Sequence, residues 1–284
     1  MGVDLFGHTK DEFVTAKERY GIWPTTVWPC DMSDQTTIRL KELIGDNGES
    51  RRYCFTKQTD DKSVYRGKVT ESIFNPGVAA YLLNCYAPPS GVCLDPFAGG
   101  GTRAIMAAKH GLRYIGTEIR KNEVESVLEW CRAAQVDNQV EIVHGTATCL
   151  TSYFDLHIAD MVLTCPPYYN LETYNGGAED LSMENSYTSF LDKLELVIKE
   201  SVKILKYGAV SCWIVGVFRD AYGALIPLHH DVTRLHREAG CILREEIILH
   251  LQNTGAMQRV GQFDKGHGYL VRVHEYALVF KAPG

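Results

Sequence analysis

Two short segments of this 284-residue chain combine residue types that chemistry needs. The first, Val92-Cys-Leu-Asp-Pro-Phe-Ala-Gly-Gly-Gly-Thr102, runs from an apolar strand through three glycines into a helical pattern. Glycines let a backbone bend sharply and approach a ligand closely, and a helix N-terminus offers unpaired N–H groups. About twenty residues on, the next strand ends in Gly116-Thr-Glu118, whose carboxylate can accept hydrogen bonds from both hydroxyls of a ribose. There is no G-x-x-x-x-G-K-[ST] and no G-x-G-x-x-G, so a nucleotide-like ligand other than ATP or a dinucleotide is preferred. S-adenosylmethionine becomes the preferred ligand, with Asp95, Phe97, Gly99, Gly101, Thr102 and Glu118 as candidate contacts, although glycines alone serve a loop's geometry whether or not it binds anything. Thr146, in His144-Gly-Thr-Ala147, is a candidate neighbour of the adenine, and an ordinary strand-to-loop turn explains it equally well.

The second segment, Thr164-Cys-Pro-Pro-Tyr168-Tyr-Asn170, follows an apolar strand. Two prolines make a stiff, extended support whose carbonyl groups are free of helix bonds, with an aromatic plane beside them. An exocyclic amine is a poor nucleophile because its lone pair is delocalised into the ring. Hydrogen bonds from its N–H groups to a backbone carbonyl and a side chain draw it toward tetrahedral geometry.

Together, Asp95-Pro-Phe-Ala-Gly-Gly-Gly101 and Thr164-Cys-Pro-Pro-Tyr168 resemble motifs I and IV of the amino-methylating DNA methyltransferases. Thr70-Glu-Ser-Ile-Phe-Asn-Pro-Gly77 is similar to the family's motif X, which caps the methionine end of the cofactor and implies Asn75 as a cofactor residue. The resemblance spans about residues 70–281, and Tyr20 to Arg51 is similar to the leader of stand-alone, phage-type methylases. It implies methyl transfer from S-adenosylmethionine to a base rotated out of double-stranded DNA, with Cys165, Pro166, Pro167 and Tyr168 as the catalytic group. Asn170, Glu172 and Tyr174 then line the pocket mouth, and Tyr169 is a further substrate candidate for which simple packing is the alternative. The family's variable position holds Cys165, a weak hydrogen-bonding group that serves equally as a small buried residue, so the Pro166 carbonyl carries more of the load. Thr-Cys-Pro-Pro-Tyr is nearer the Thr-Ser-Pro-Pro-Tyr of cytosine-N4 enzymes than Asp-Pro-Pro-Tyr, which favours cytosine N4 over adenine N6. RNA or a protein amide as substrate, and a non-catalytic DNA-binding module, are the competing readings. No Pro-Cys-Gln is present to act as a carbon-5 nucleophile.

These segments must be positioned by a scaffold. From residue 70 on, short apolar runs alternate with helical periodicity, the pattern of a parallel α/β sheet. Strands are expected at Val92–Asp95, Tyr114–Thr117, Val140–Val143, Ala159–Thr164, Ala209–Val217, Ile242–Leu251 and Tyr276–Phe280. Helices are expected near Thr102–His110, Asn122–Gln135, Tyr187–Leu205 and Leu228–Glu238. The expected fold is a Rossmann-like class I methyltransferase: a seven-stranded, mostly parallel sheet with a terminal antiparallel hairpin, plus an N-terminal extension. Residues 1–69 form that extension and 70–284 the methyltransferase domain. Phe190, Leu191, Leu194, Val197 and Ile198 recur at helical spacing and belong to the core. His229-His230 are read as a helix cap rather than metal ligands.

A net charge of −6 argues against binding nucleic acid by bulk charge, so DNA contacts require a local basic face. Candidates are Arg51, Arg52, Lys57, Lys62, Arg66 and Lys68, and the loop from Asn253 to Arg272 with Gln258, Arg259, Lys265 and His267; solvated surface charge accounts for either set as well. Arg259 and Lys265 are taken as substrate contacts. Nine cysteines without metal or C-x-x-C spacing read as reduced thiols, and no metal is expected. No stretch has a membrane span's length and apolarity. A cytoplasmic protein of a bacterial or phage-infected cell is expected, with oligomeric state left open.

Overall fold

A computed structural model describes residues 25–30, 74–169, 174, 176–220, 222–251, 270 and 272–284. The strands are β1 (Val27–Cys30), β2 (Gly91–Asp95), β3 (Leu112–Glu118), β4 (Val140–His144), β5 (Ala159–Thr164), β6 (Leu205–Val215), β7 (Phe218–Arg219), β8 (Leu225–Ile226), β9 (Ile242–Leu251) and β10 (His274–Lys281). The helices are α1 (Pro76–Tyr86), α2 (Thr102–His110), α3 (Lys121–Ala133), α4 (Tyr187–Ile204) and α5 (Leu228–Glu238).

The main sheet runs β1-β9-β10-β6-β5-β2-β3-β4, with β10 antiparallel to both neighbours. The chain leaves β2 toward β3 and β4, then returns through β5 to the other side. Between β2 and β5 the strand order therefore reverses, and open α/β sheets bind ligands at the carboxyl ends of the strands flanking such a point. Both chemistry-bearing segments begin there.

Where the sequence reading has seven strands, the sheet has eight. The extra one, β1, lies within the N-terminal segment and pairs in parallel with β9 at the sheet edge. Pro29 has no N–H to donate, and at an edge none is needed on the outer side. β6 also begins earlier than expected: α4 stops at Ile204 and Leu205 already pairs with Ala159, with Gly208 at φ +71 beside the irregular register. α1 was not among the expected helices. Its first turn carries Asn75-Pro-Gly77, which locally resembles a turn, but the Asn75 side chain caps it and Pro76 suits the first helical position.

The sheet buries both faces. Tyr81, Leu82, Ile105, Met106 and Val127 of α1–α3 cover one, against Cys93, Met161, Leu163, Cys212 and Ile214. Phe190, Leu194, Val197 and Ile198 of α4, with Val232 and Leu235 of α5, cover the other against Leu94, Val162, Trp213 and Leu278. Strand alternation explains the division, because consecutive residues such as Cys93 and Leu94 face opposite sides. Among the described residues no helix is long and apolar enough to cross a membrane.

Candidate active site

The glycine turn is built by backbone conformation. Gly99 (φ +51) and Gly101 (φ +79) lie in the left-handed region, and a Cβ at Gly101 would stand 2.8 Å from Val127 Cγ1. At Gly99 the nearest atom to such a Cβ is 3.7 Å away, an ordinary contact, so there the backbone geometry rather than crowding selects glycine. Gly101 caps α2 without a side-chain hydrogen bond, which leaves the first-turn amides available as donors at the turn.

Asp95 lies beneath the turn and is fully buried. Its Oδ1 accepts from Phe97 N (3.0 Å) and Thr164 Oγ1 (2.6 Å), and its Oδ2 from Arg103 Nε (2.6 Å) and Tyr114 Oη (2.8 Å). Four bonds exhaust the carboxylate's roughly four acceptor directions. Asp95, expected as a cofactor contact, therefore braces the site: it ties the glycine turn (β2), α2, β3 and the acceptor segment (β5) to one point. Burial works against the Arg103 charge, but the adjoining Asp95 outweighs it and the guanidinium pKa is raised. Arg103 also donates to the Phe97 and Ala98 carbonyls and lies 4.7 Å from the Phe74 ring centroid. Sequence spacing gave no sign of this pair, since an arginine in a first helical turn usually reaches solvent.

Glu118 ends β3 beside the turn, as expected. Its Oε2 accepts from Gly99 N (3.0 Å), and its Oε1 from Arg120 N (2.9 Å) and Nε (3.0 Å). Three of its acceptor directions are thus occupied, and taking both hydroxyls of a ribose requires Arg120 to yield. Arg120 in turn lies 5.0 Å from the Tyr174 ring centroid. Tyr174, expected at the mouth of the base pocket, is thus placed beside the Glu118 end. Thr146 uses its hydroxyl locally, accepting from Thr148 N (3.3 Å) at the start of a short 3-10 turn. Asn75 likewise accepts from Gly77 N (2.8 Å) and Val78 N (3.4 Å). Phe97 meets Trp213 edge to face at 6.3 Å, and Thr102 is buried at the head of α2.

The acceptor segment leaves β5 next to β2. Pro166 is buried, while Cys165, Pro167 and Tyr168 are half-buried. Cys165 packs against the α1–α3 side of the core, and its Sγ lies 4.0 Å from Tyr168 Oη. Three contacts orient Tyr168: its ring stacks with Phe218 (6.4 Å, 22°), its Oη donates to Glu275 Oε1 (3.3 Å), and its edge fits over Gly216. A Cβ at Gly216 would stand 3.2 Å from Cε2 and Cζ of the ring. Sequence reasoning missed Glu275 and Gly216; the pairing of β10 with β6 brings them in. Of the two readings of Tyr169, the contacts favour packing, because its ring lies against Tyr187 (5.6 Å) and Phe190 (5.8 Å) of α4. Asn170, Glu172, Arg259, Lys265 and the basic run from Arg51 to Lys68 lie outside the described residues.

The solved structures with this arrangement include TrmN from Thermus thermophilus (TM-score 0.52, 16% identity), covering 82% of this chain and 53% of TrmN. The [4+2]-cyclase SpnF (0.52, 16%) covers 74% of this chain and 82% of its own, and geranyl diphosphate methyltransferase in complex with SAM (0.51, 14%) covers 74% and 86%. The fold is that of a methyltransferase. A cyclase among the neighbours shows that the fold alone does not name the reaction. Residues 7–129 match a family described as DNA methylase, of the N6/N4 kind, and residues 90–207 match RNA cap guanine-N2 methyltransferase. These matches support the amino-methyltransferase family that motifs I and IV resemble. No curated protein matches the sequence. Among the described residues no group of three or more His, Cys, Asp or Glu is arranged to hold a metal.

Proposed function

We propose that this protein methylates the exocyclic amine of a base in double-stranded DNA, cytosine N4 in preference to adenine N6, with S-adenosylmethionine as donor. The observation that carries the reading is the Thr164–Asp95 bond (2.6 Å), which fastens the Pro-Pro-Tyr segment to the strand that ends in the glycine turn. A methyl donor at the turn and an amine at the prolines are then neighbours by construction.

The residues present fit the donor. The left-handed turn at Gly99 and Gly101, the uncapped head of α2 and the Glu118 carboxylate offer backbone amides to an anionic end and an acceptor to ribose. When bound, S-adenosylmethionine supplies a methyl group on a sulfonium, activated toward direct displacement. The chain's own work is on the amine. The Pro166 carbonyl accepts one of its N–H groups, Tyr168 presents a flat face to the base, and Glu275 with Gly216 holds that face in place. Cys165 contributes bulk beside the prolines, its thiol being a weak partner. The reading also takes residues 70–284 as the catalytic domain and the segment before it as a DNA-contacting extension.

A second reading has one observation in its favour. The DNA methylase match ends before Cys165, whereas the RNA cap guanine-N2 match spans both the glycine turn and Pro166–Tyr168. The amine of a guanine in RNA is the corresponding substrate. Methyl transfer from labelled S-adenosylmethionine to unmethylated DNA and to RNA, followed by nucleoside mass spectrometry, decides between them. N4-methylcytosine formed by the wild type and absent with Tyr168→Ala is the expected result; label only in N2-methylguanosine would overturn the DNA assignment.

A further inference from the structure

We propose that the face formed by Arg219, His229, His230, His250, Arg272 and His274 is a phosphate-binding surface that grips the backbone of duplex DNA beside the acceptor pocket. This rests on the DNA reading above and adds the contact residues that it lacks.

Four separate elements converge on this face. His229 and His230 open α5, with ring centroids 4.1 Å apart, and His229 stacks flat on Tyr276 of β10 (4.2 Å, 4°). His274 meets the same Tyr276 edge to face at 5.3 Å and lies opposite His250 of β9 in the ladder. Arg272 donates to the Val217 carbonyl, one residue from the Phe218 ring that stacks on Tyr168. Arg219, in the β7–β8 hairpin, donates to the Gly223 carbonyl (2.9 Å) and lies near enough to Arg272 to disfavour its charge. The surface thus adjoins the tyrosine expected to receive the base.

In a chain of net charge −6, basic groups from several elements meet here, and among the described residues the nearby acidic groups are engaged elsewhere or turned away. Asp231 faces the cluster, but Tyr187 Oη (2.7 Å) and Arg234 (3.6 Å) engage it. Asp220 binds the amides of Tyr222 (2.9 Å) and Ala224 (2.8 Å) in its own hairpin. Strand alternation turns Glu275 to the other side of β10. The helix geometry favours an anion too. The N-cap of α5 is Pro227, with no side-chain cap, so the helix amides open toward the cluster at the end where the dipole attracts negative charge. His229 and His230, expected to cap this helix, lie inside its first turn instead.

A second observation points to a missing partner. His229 is only 8% exposed, yet its Nδ1 has no hydrogen-bond partner among the described residues. A buried ring nitrogen without a partner is costly, and a small outward shift of the His229 ring on binding would bring it to a phosphate oxygen or a bridging water. Burial first, then His230, Arg272 and His274, lower the His229 pKa to about 4. The ring is therefore neutral at pH 7 and can donate one N–H without adding charge.

The test measures binding of the full chain to a mixed-sequence, unmethylated duplex by fluorescence anisotropy between 50 and 200 mM salt. The variants are Arg219→Gln with His230→Gln, both exposed and outside the cofactor and acceptor segments. The double variant is expected to bind roughly five-fold more weakly at 100 mM salt, and the slope of log affinity against log salt to fall by about one. Arg219→Lys should keep the slope, and cofactor binding should be unchanged in all. If the wild type methylates duplex DNA while the double variant matches it in affinity and slope, the surface assignment is overturned and the DNA reading stands. If the wild type methylates RNA and binds no duplex, both are overturned.

Discussion

Replacing Asp95 with Asn probes the brace at the centre of the site. The amide keeps one acceptor oxygen, which can still serve Phe97 N and Thr164. Its NH₂ would then face Arg103 Nε and Tyr114 Oη, donor against donor, at positions where the carboxylate accepts at 2.6 and 2.8 Å. Arg103 is 6% exposed and would be left as a buried charge without its counter-charge. Breaking a buried pair in this way costs on the order of 3–5 kcal/mol. For a chain of this size, 1 kcal/mol corresponds to roughly 2–3 °C in Tm, so Asp95→Asn should melt about 6–15 °C below the wild type. Arg103→Gln should be damaging as well, and the double variant should lose clearly less than the two single losses combined, because the uncompensated charge is gone. Differential scanning calorimetry at fixed pH and salt reads all four proteins. A single-variant shift under about 2 °C, or strict additivity across the cycle, would refute the claim that Asp95 and Arg103 act as a pair.

Two further outcomes follow from the geometry. Gly216→Ala, which places a methyl 3.2 Å from the Tyr168 ring, should lower kcat roughly ten-fold or more while leaving Tm and cofactor affinity near wild type; unchanged turnover would show that the ring is not held there. His236 is buried, stacked on Phe280 (3.9 Å, 3°), and burial lowers its pKa to about 3. Between that value and the ordinary 6.5 the unfolded chain binds the extra proton, so stability falls as pH drops through this window, by up to about 1.4 kcal/mol per pH unit from this residue. His229, at about 4, adds loss over the upper part of the same range. Urea denaturation at pH 7, 6 and 5 should show a shallower decline for His236→Phe than for the wild type, and equal slopes would contradict the assignment.

What the sequence made legible was local. The glycine turn, the Pro-Pro-Tyr segment and the strands they follow are contiguous patterns, so their place at strand ends was legible, whereas the strand order that makes β2 and β5 neighbours was not. The contacts that organise the site are not contiguous. Asp95 meets Thr164 across 69 positions and Tyr168 meets Glu275 across 107, and no periodicity encodes either. The sequence leaves Tyr169 between pocket and packing, and only its ring contacts on α4 favour packing. Glu118 was placed correctly at its strand end, but its prior engagement with Arg120 depends on side-chain geometry that spacing does not carry.

The edge strand β1 has a consequence for how the chain is made. Val27 pairs with Ile248, so β1 has no strand to pair with until more than two hundred further residues have been synthesised. In the meantime Trp28, which in the finished sheet stacks on Tyr81 at 4.4 Å, can shelter against α1 alone. Until β1 docks, the open side of β9 is an unpaired ladder available to any extended strand, including that of a neighbouring nascent chain. Recombinant forms trimmed past Cys30 should therefore be recovered in good yield only at low concentration, with losses that grow as the square of it in the manner of a pairwise encounter.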